Sequence, residues 1–484
     1  MSLRRAGRRL ARVTLLTTAA MLAVVGTAWV HGKLKSSTPS AGAHLSAAPR
    51  ALRLEFTERP EIAFTTVRLT GPNEQPVALG ALARDTAAPM SVVAGITGEL
   101  THGTYRVDWK MAGADGHPII GSYKFTIAPG ASGLGAATVV DTPAVTPPAP
   151  THHDPTSMPE GAGFNAESPV YVVIRWLQFV GLLIAIGAVA FRQVVLGLLR
   201  RKSHTPPPLL GEVSTRAARL GHWATWLLAG VVILRLLAQS YAMHGSASAF
   251  DPSEIAPMIA RTTWGIGWLV QLAGVVLAGI GFHLARGKPS AWTLASVGAV
   301  LLAFSPALSG HAASVPRYTA FAVLADGIHV LGASGWLGSL SVMLLAGIPA
   351  ARRLPEQERG AAVADVVNAY SPTALAFAAI AAVTGIVAAW LHLDAVSELW
   401  STAYGQVLLL KLAILSVVAL TGAYNWLKVR PTLGNDEGTR RVRRSATVEV
   451  SIAVLVLAVT AVLVATPPGM DDERMTTGTV TTSP

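Results

Sequence analysis

The sequence predicts a mixed fold of two parts, in which a small all-β sandwich is followed by an all-α membrane bundle of about eight helices. Three observations support this prediction. Residues 31–128 carry short segments of alternating apolar and polar residues, residues 129–168 have almost no apolar periodicity, and residues 169–466 contain long apolar stretches. With 51% hydrophobic and 13% charged residues among 484, the chain is too apolar for an ordinary soluble enzyme.

The predicted sandwich depends on five segments separated by Gly, Pro and Asp: LRLEF, TVRLT, SVVAG, TYRVDW and SYKFTI. In the fourth segment Tyr105, Val107 and Trp109 alternate with polar residues, which is typical of a strand with one buried face. The even spacing of the segments and turns favours an antiparallel sandwich of the immunoglobulin-like or cupredoxin-like kind.

The loop between the last two segments, in MAGADGHPIIGSYKF, places Asp115 and His117 on either side of a glycine. A carboxylate and an imidazole in a turn fixed by Gly and Pro can both face one small cation. Two ligands hold a metal weakly, so a third is expected from elsewhere, and His31 is the candidate. Asp beside Gly is also common in turns that bind nothing, so an ordinary solvated loop is the alternative.

Residues 1–30 have an Arg-rich start followed by an apolar run, which is the form of an export signal. Cleavage before His31 would leave its α-amine as an additional ligand, whereas cleavage after Ala28 would leave only the imidazole. Residues 129–168 are expected to form a flexible linker rich in Pro, Ala and Gly. Its His152, His153 and Met158 could shuttle a metal or could be there by chance.

Eight apolar segments are long enough to cross a bilayer, at residues 169–197, 215–242, 264–284, 289–309, 318–348, 367–391, 404–428 and 445–466. If the first domain is exported, the connections on the cytoplasmic side hold most of the Lys and Arg of this region. The outer connections and the tail, residues 467–484, offer only Arg261, Arg317 and Arg474. This bias predicts both ends of the mature chain outside the cytoplasmic membrane. It also explains the net charge of +11 without a nucleic-acid partner.

Polar residues within the spans are costly, so each is a candidate site. They are Arg235, His244, His311, Asp326, His329, His392, Lys411, Asn425 and Glu449. Asp326 and His329 are three residues apart and share one helix face, where the carboxylate could orient the imidazole. The alternatives are that His244 and His392 are merely interfacial, and that Lys411 and Glu449 pair or extend to the membrane surface. Tryptophans are expected at the membrane borders, at Trp223, Trp264, Trp292 and Trp400.

From His31 to Ile127 the chain resembles the periplasmic copper-binding family CopC. The resemblance is carried by HGKLKSSTPSAGAHLSAAPRALRLEFTE and by GTYRVDWKMAGADGHPIIGSYKFTI. In that family the mature N-terminal His, with the Asp and His of the ADGHP loop, binds Cu(II), which implies His31, Asp115 and His117 as ligands here. Met90 and Met111 are isolated, so the methionine-rich Cu(I) site of some members is not expected.

From about residue 170 to 468 the chain is similar to the CopD family of copper-resistance and copper-uptake membrane proteins. The matching pieces are SGHA, HVLGASGWLGSL, AYGQVLLLKLAIL with AYNWL, and a last helix opening on Val448 and Glu449. Fused CopC–CopD proteins are associated with copper uptake across the cytoplasmic membrane. A copper pathway is inferred from membrane burial, not from the resemblance: His244, His311 and His392 at the outer mouth, then Asp326 and His329.

The expected function is therefore capture of Cu(II) outside the membrane and its translocation, with copper and the lipid bilayer as partners and an external copper donor or acceptor protein as a further one. No enzymatic turnover is predicted. With no Walker or phosphorylated-Asp motif, transport is expected to follow a gradient or to be coupled to ions. Two alternatives stay open: a membrane oxidoreductase with haem held by histidines, and a non-transporting copper sensor or donor. The lack of cysteine excludes thiolate copper sites.

Overall fold

The structure is a computed structural model that describes residues 34–85, 87–114, 116, 118–129, 164, 168–202, 207–315, 318–393 and 395–466. The three expected copper ligands His31, Asp115 and His117 lie outside the described residues, as do the expected export signal, nearly all of the expected linker, and the tail. The described residues form two folded parts, which we term the β-domain and the membrane bundle.

The β-domain is a sandwich of two sheets, as predicted. Its strands are Leu34–Thr38 (β1), His44–Leu45 (β2), Ala51–Phe56 (β3), Thr66–Thr70 (β4), Pro76–Val77 (β5), Ala83–Arg84 (β6), Ser91–Gly95 (β7), Gly103–Ala112 (β8) and Pro118–Ile127 (β9). One sheet has the order β1-β3-β7-β6, and the other has the order β2-β9-β8-β4-β5. Neighbouring strands are antiparallel, except for the short parallel pair β2 and β9.

The long hairpin β8–β9 fixes where the DGH loop lies. Its register runs without interruption from Gly103 opposite Ile127 to Ala112 opposite Pro118, so residues 113–117 form the connection at the tip. Alternation along β8 buries Tyr105, Val107 and Trp109, as the pattern predicts. Met111 is also fully buried in this core, so its sulfur packs within the sandwich.

The membrane bundle contains eight described helices that are long and apolar enough to cross a bilayer, which confirms the predicted number. They are Pro169–Arg201 (α1), Pro208–Ser248 (α2), Thr263–Ala285 (α3), Pro289–Leu308 (α4), Thr319–Ala351 (α5), Glu356–His392 (α6), Ala403–Thr432 (α7) and Glu437–Leu463 (α8). Short helices Pro252–Arg261, His311–Ser314 and Glu398–Ser401 lie between them. Large apolar side chains remain exposed along α6 and α7, where lipid would cover them.

Glycines allow α5 to pack closely on both of its neighbours. A Cβ at Gly335 would lie 2.5 Å from the Phe377 ring of α6, and a Cβ at Gly338 would lie 2.1 Å from the Leu183 carbonyl oxygen of α1. The helix also widens into a π-helical turn at Ser334–Gly338. Small residues in membrane helices permit such close approach without any contribution from hydrophobic burial in water. The run after His329 is therefore explained in large part by packing.

The four tryptophans expected at the membrane borders divide into two pairs. Trp223 and Trp400 are 71% and 62% exposed, and their place in a membrane interface stays a prediction. Trp264 and Trp292 lie near the starts of α3 and α4 but are only 1% and 2% exposed, so their rings pack inside the protein. The guanidinium carbon of Arg235 lies 5.5 Å from the centre of a Trp264 ring, and such cation–π packing in a protein interior replaces contact with lipid headgroups.

Candidate functional site

The DGH loop rests on the membrane bundle through its central glycine. The Gly116 carbonyl oxygen accepts a hydrogen bond of 2.6 Å from Gln239 Nε2 on α2. Gly116 has a φ of +76°, and a Cβ there would lie 2.8 Å from Gln239 Nε2 and 3.0 Å from Trp264 Cδ1. Glycine is therefore required both by the backbone conformation and by the close approach of α2 and α3.

A residue of α1 holds the Gln239 amide in place on the side away from the DGH loop. The Tyr171 hydroxyl donates a hydrogen bond of 2.6 Å to Gln239 Oε1, and both residues are 1% exposed. The Arg175 guanidinium lies over the Tyr171 ring at 4.6 Å from its centre. Because a hydroxyl hydrogen points at Oε1, the amide group is oriented with Nε2 toward the loop. Three polar residues of α1 and α2 thus support one backbone carbonyl of the β-domain.

Two further contacts fix the orientation of the β-domain. Lys110 on β8 donates to the carbonyl oxygens of Ala242 and Met243 at the end of α2. Glu61 accepts hydrogen bonds from the Thr263 amide and hydroxyl at the start of α3, at 3.3 and 2.5 Å. Burial lowers the pKa of Lys110, because the ammonium group loses water that the carbonyls replace only in part. We conclude that the Lys110 contact fixes the orientation of the β-domain on the bundle and contributes little to the free energy that holds the two parts together.

His244 lies beside this contact, five residues after Gln239 on α2. Its Nδ1 is 3.3 Å from the Ser240 hydroxyl, and its Nε2 is 3.6 Å from a carboxylate oxygen of Glu254. The side chain is only 15% exposed, so the alternative of a merely interfacial histidine does not describe it. His244 instead belongs to the polar surface on which the β-domain rests.

Two histidines meet at the same end of the bundle. The rings of His311 and His392 lie 6.2 Å apart between centres, and the Tyr404 ring stacks on His392 at 6.3 Å. His392 Nδ1 is 2.7 Å from the Ala388 carbonyl oxygen, which can only accept, so Nδ1 carries the hydrogen. His392 Nε2 is left with a lone pair and has no hydrogen-bond partner among the described residues. We refer to His311 and His392 as the histidine pair.

His329 lies deeper along α5 and is oriented in the same way. Its Nδ1 is 2.8 Å from the Ala381 carbonyl oxygen and 3.3 Å from the Thr384 hydroxyl, both on α6. The expectation that Asp326 orients this imidazole is therefore wrong, since a backbone carbonyl does so. The carbonyl makes Nδ1 the protonated nitrogen and leaves Nε2 able to bind a metal, as in many histidine ligands.

Asp326 lies between the histidine pair and His329. Its carboxylate is close enough to interact electrostatically with His311, His392 and Lys411. Lys411 also interacts electrostatically with His329. We refer to Asp326, His329 and Lys411, together with the histidine pair, as the polar column. The alternative that Lys411 pairs with Glu449 does not hold, because the polar partner of Glu449 is the Asn425 side chain at 3.1 Å.

Arg235 is buried and is held by polar side chains of neighbouring helices. It donates to Gln271 Oε1, and its Nη2 donates to the Ser309 hydroxyl at 3.0 Å. Ser309 lies two residues before His311, so this network connects the surface beneath the DGH loop with the histidine pair. A guanidinium group repels copper cations, and we therefore assign Arg235 to positioning and not to metal binding.

The polar column is not a ready-made metal centre. Within the described ranges, no group of three or more His, Asp or Glu side chains is arranged to hold a metal ion.

Several site residues were missed by the sequence prediction. Gln239, Tyr171 and Tyr404 are ordinary residues of apolar helices until the fold brings them to the loop or to the histidine pair. A second pair, His222 on α2 and His283 on α3, has ring centres 5.5 Å apart. His283 lies near the end of α3, whereas His222 lies well inside α2, so only His283 carried a signal in its position along the predicted span.

Comparison with protein families assigns both parts of the chain. Residues 34–128 match the CopC domain, residues 165–316 match the N-terminal domain described as copper resistance protein D-like, and residues 364–463 match copper resistance protein D. The chain belongs to the CopC and CopD copper resistance families. It combines both domains of these families in one multi-pass membrane protein, as the resemblance predicted.

Individual relatives agree with this CopC–CopD organisation. The copper transport protein CutJ of Bacillus subtilis (strain 168) is 25% identical over 450 residues, which cover 91% of this chain and 75% of the relative. Copper resistance protein C of Escherichia coli is 35% identical over 119 residues, 23% of this chain and 94% of the relative. Copper resistance protein D of Pseudomonas syringae pv. tomato is 26% identical over 320 residues, 63% of this chain and 99% of the relative.

Proposed function

We propose that this CopC–CopD protein captures Cu(II) outside the cytoplasmic membrane and translocates copper inward through the membrane bundle. The observation that carries the proposal is the hydrogen bond between Gln239 and the Gly116 carbonyl. It holds Gly116, the residue between Asp115 and His117, against α2, the helix that carries Met243 and His244 near its C-terminal end. The captured ion would therefore start its path at the entrance of the bundle.

Capture is assigned to His31, Asp115 and His117. A set of imidazole and carboxylate ligands suits Cu(II), and the chain has no thiolate that would favour Cu(I). Copper bound by imidazoles is released in acid, because a protonated ring cannot ligate. The family membership supports copper as the ligand, and the β8–β9 hairpin supplies the rigid base for the loop.

Transfer is assigned to the polar column. From the DGH loop the ion would pass His244 and reach the histidine pair, and then move past Asp326 to His329. The last two positions are three residues apart on α5, a rise of about 4.5 Å along the helix axis. The Asp326 carboxylate offsets the charge of Lys411, which would otherwise repel the cation. The excess of Lys and Arg in alternate connections supports the orientation with the β-domain outside.

The decisive experiment measures copper uptake into proteoliposomes that contain the full-length protein, with a copper chelator inside the vesicles. Uptake above that of protein-free vesicles is the expected result. If copper binds to the protein but none crosses, the membrane bundle is a sensor or donor module and the transport proposal is wrong. The absorption spectrum of the same preparation tests the haem alternative, for which a Soret band would be required.

Replacement of Gln239 by Leu is expected to loosen the contact between the loop and the bundle. The Gly116 carbonyl loses its donor in a buried position, at a cost of about 1 to 3 kcal/mol. Amide hydrogen exchange of the peptide containing residues 113–117 should then become faster by about tenfold or more. Gln406→Leu is the matched control, because Gln406 is exposed on α7 and bonds only to the Trp400 carbonyl. Equal exchange in both variants would contradict the assigned contact.

A further inference from the structure

A cavity of about 440 Å³ lies between α5, α6, α7 and α8, toward the end of the bundle away from the β-domain. Its walls are mostly apolar and include the aromatic residues Trp336, Tyr370 and Trp426. The one carboxylate among the residues that line it is that of Glu449 on α8, a residue that is only 4% exposed. None of the steps proposed above uses this cavity.

The described partners of Glu449 are neutral. One of its carboxylate oxygens, Oε2, accepts a hydrogen bond of 3.1 Å from the Asn425 amide. The Asn425 side-chain oxygen in turn accepts a hydrogen bond from the Ser445 hydroxyl, which orients the amide toward Glu449. The other carboxylate oxygen, Oε1, lies beside Gly422, where an added Cβ would be 3.7 Å away. Among the described residues no hydrogen bond is made to Oε1, and Glu449 is one of the residues that line the cavity.

Two other ionisable groups face the cavity from the helices packed against α8. Tyr370 on α6 donates its hydroxyl hydrogen to the Trp336 carbonyl at 3.2 Å. Arg430 at the end of α7 donates to Asn368 at 2.7 Å and stacks on the Trp426 ring at 4.4 Å. Because Arg430 is engaged by these two partners, it forms no ion pair with Glu449 among the described residues. The lining residues of α5 carry no ionisable side chain.

A carboxylate in this position needs a compensating positive charge. Removal of an ionised carboxyl group from water is expensive, and hydrogen bonds from neutral groups offset the cost only in part. A proton removes the charge and adds an O–H donor at the same place. Ionisable side chains within membrane spans commonly bind and release protons. The cavity provides room for water molecules that could exchange a proton with the carboxyl group.

We propose that Glu449 is a proton-binding site that exchanges its proton through this cavity, and that copper transport is coupled to it. The proton arrives from the aqueous phase at the Arg430 end, forms an O–H bond with the carboxylate, and leaves when that bond breaks. No other bond changes and no redox step is involved. The coupling rests on the transport function proposed above, whereas proton binding at Glu449 does not.

Infrared difference spectroscopy of the full-length protein in lipid nanodiscs tests the proton site without copper. As the pH is raised, we expect loss of the carbonyl-stretch band of a protonated carboxyl group, and we expect Glu449→Gln to lack that band. Glu437→Gln is the matched control, since Glu437 is exposed at the start of the same helix and pairs with Arg441. A spectrum without any Glu449-dependent band, or with a band that does not titrate, would overturn the proposal.

Proteoliposomes with an imposed pH gradient test the coupling. In the parent protein the rate of copper uptake should change with the direction of the gradient, whereas in Glu449→Gln that dependence should disappear. Uptake in Glu449→Gln that still follows the gradient would refute coupling through Glu449 and leave transport itself intact. If the parent protein moves no copper at all, the proposed transport function fails, and the infrared result still decides whether Glu449 binds a proton.

Discussion

Copper uptake into proteoliposomes is expected to fall by about tenfold or more, to the rate of protein-free vesicles, when His329 is replaced by Ala. The imidazole is fixed by the Ala381 carbonyl with Nε2 available, and it lies on the polar column below Asp326. Removal of this imidazole leaves no metal-binding nitrogen at this depth of the polar column, where a copper ion needs a substitute for water. The measurement is the initial rate of copper accumulation by vesicles with equal amounts of incorporated protein.

Thr384→Val is the matched control for His329→Ala. The threonine hydroxyl is the weaker partner of His329 at 3.3 Å, and its loss leaves the carbonyl contact and the ring in place. Copper binding by the β-domain should be unchanged in both variants, because that domain contacts α2 and α3 and not His329. Uptake at the parent rate in His329→Ala would show that copper does not pass this position.

Replacement of His117 by Ala is expected to weaken copper capture by about 100-fold, because the proposed site loses one of its two imidazoles. Uptake should then drop strongly when copper is scarce and recover when copper is abundant, since the membrane pathway is intact. Equilibrium competition with a chelator gives the affinity of the full-length protein, and the dependence of uptake on copper concentration gives the functional effect.

His102→Ala provides the control for His117→Ala within the same domain. His102 is exposed just before β8, at the opposite end of that strand from the DGH loop. Its removal should change neither affinity nor uptake. If His102→Ala and His117→Ala behave alike, copper is not captured at the DGH loop, and the assignment of His31, Asp115 and His117 fails.

Much of the fold follows from periodicity along the chain. The alternation around Val107 and Phe125 predicts one buried face for each strand, and both residues are fully buried. Membrane spans can be predicted equally well. In lipid a segment must form all of its backbone hydrogen bonds internally, as a helix does, and its side chains must be apolar over a long run. The burial of Trp264 could not be predicted, because the sequence places this residue at a span border but does not show that Arg235 and the β-domain cover it.

The contacts that form the candidate site could not be predicted from periodicity along the chain. Gln239 and Gly116 are 123 residues apart, and their hydrogen bond depends on how two domains rest on each other. His329 is oriented by a backbone carbonyl, which every residue possesses and no sequence pattern marks. The meeting of His392 with His311 likewise depends on where α6 ends relative to α4, which is decided by helix packing.

The β-domain is hydrogen-bonded to the bundle from both sides of their boundary: Gln239 of the bundle donates to the Gly116 carbonyl, and Lys110 of the β-domain donates to the carbonyls of Ala242 and Met243. Such contacts hold a donor domain beside its acceptor at an effective concentration far above that of two separate proteins in dilute solution. Transfer of the ion then becomes an intramolecular event whose rate does not depend on how much protein the cell makes.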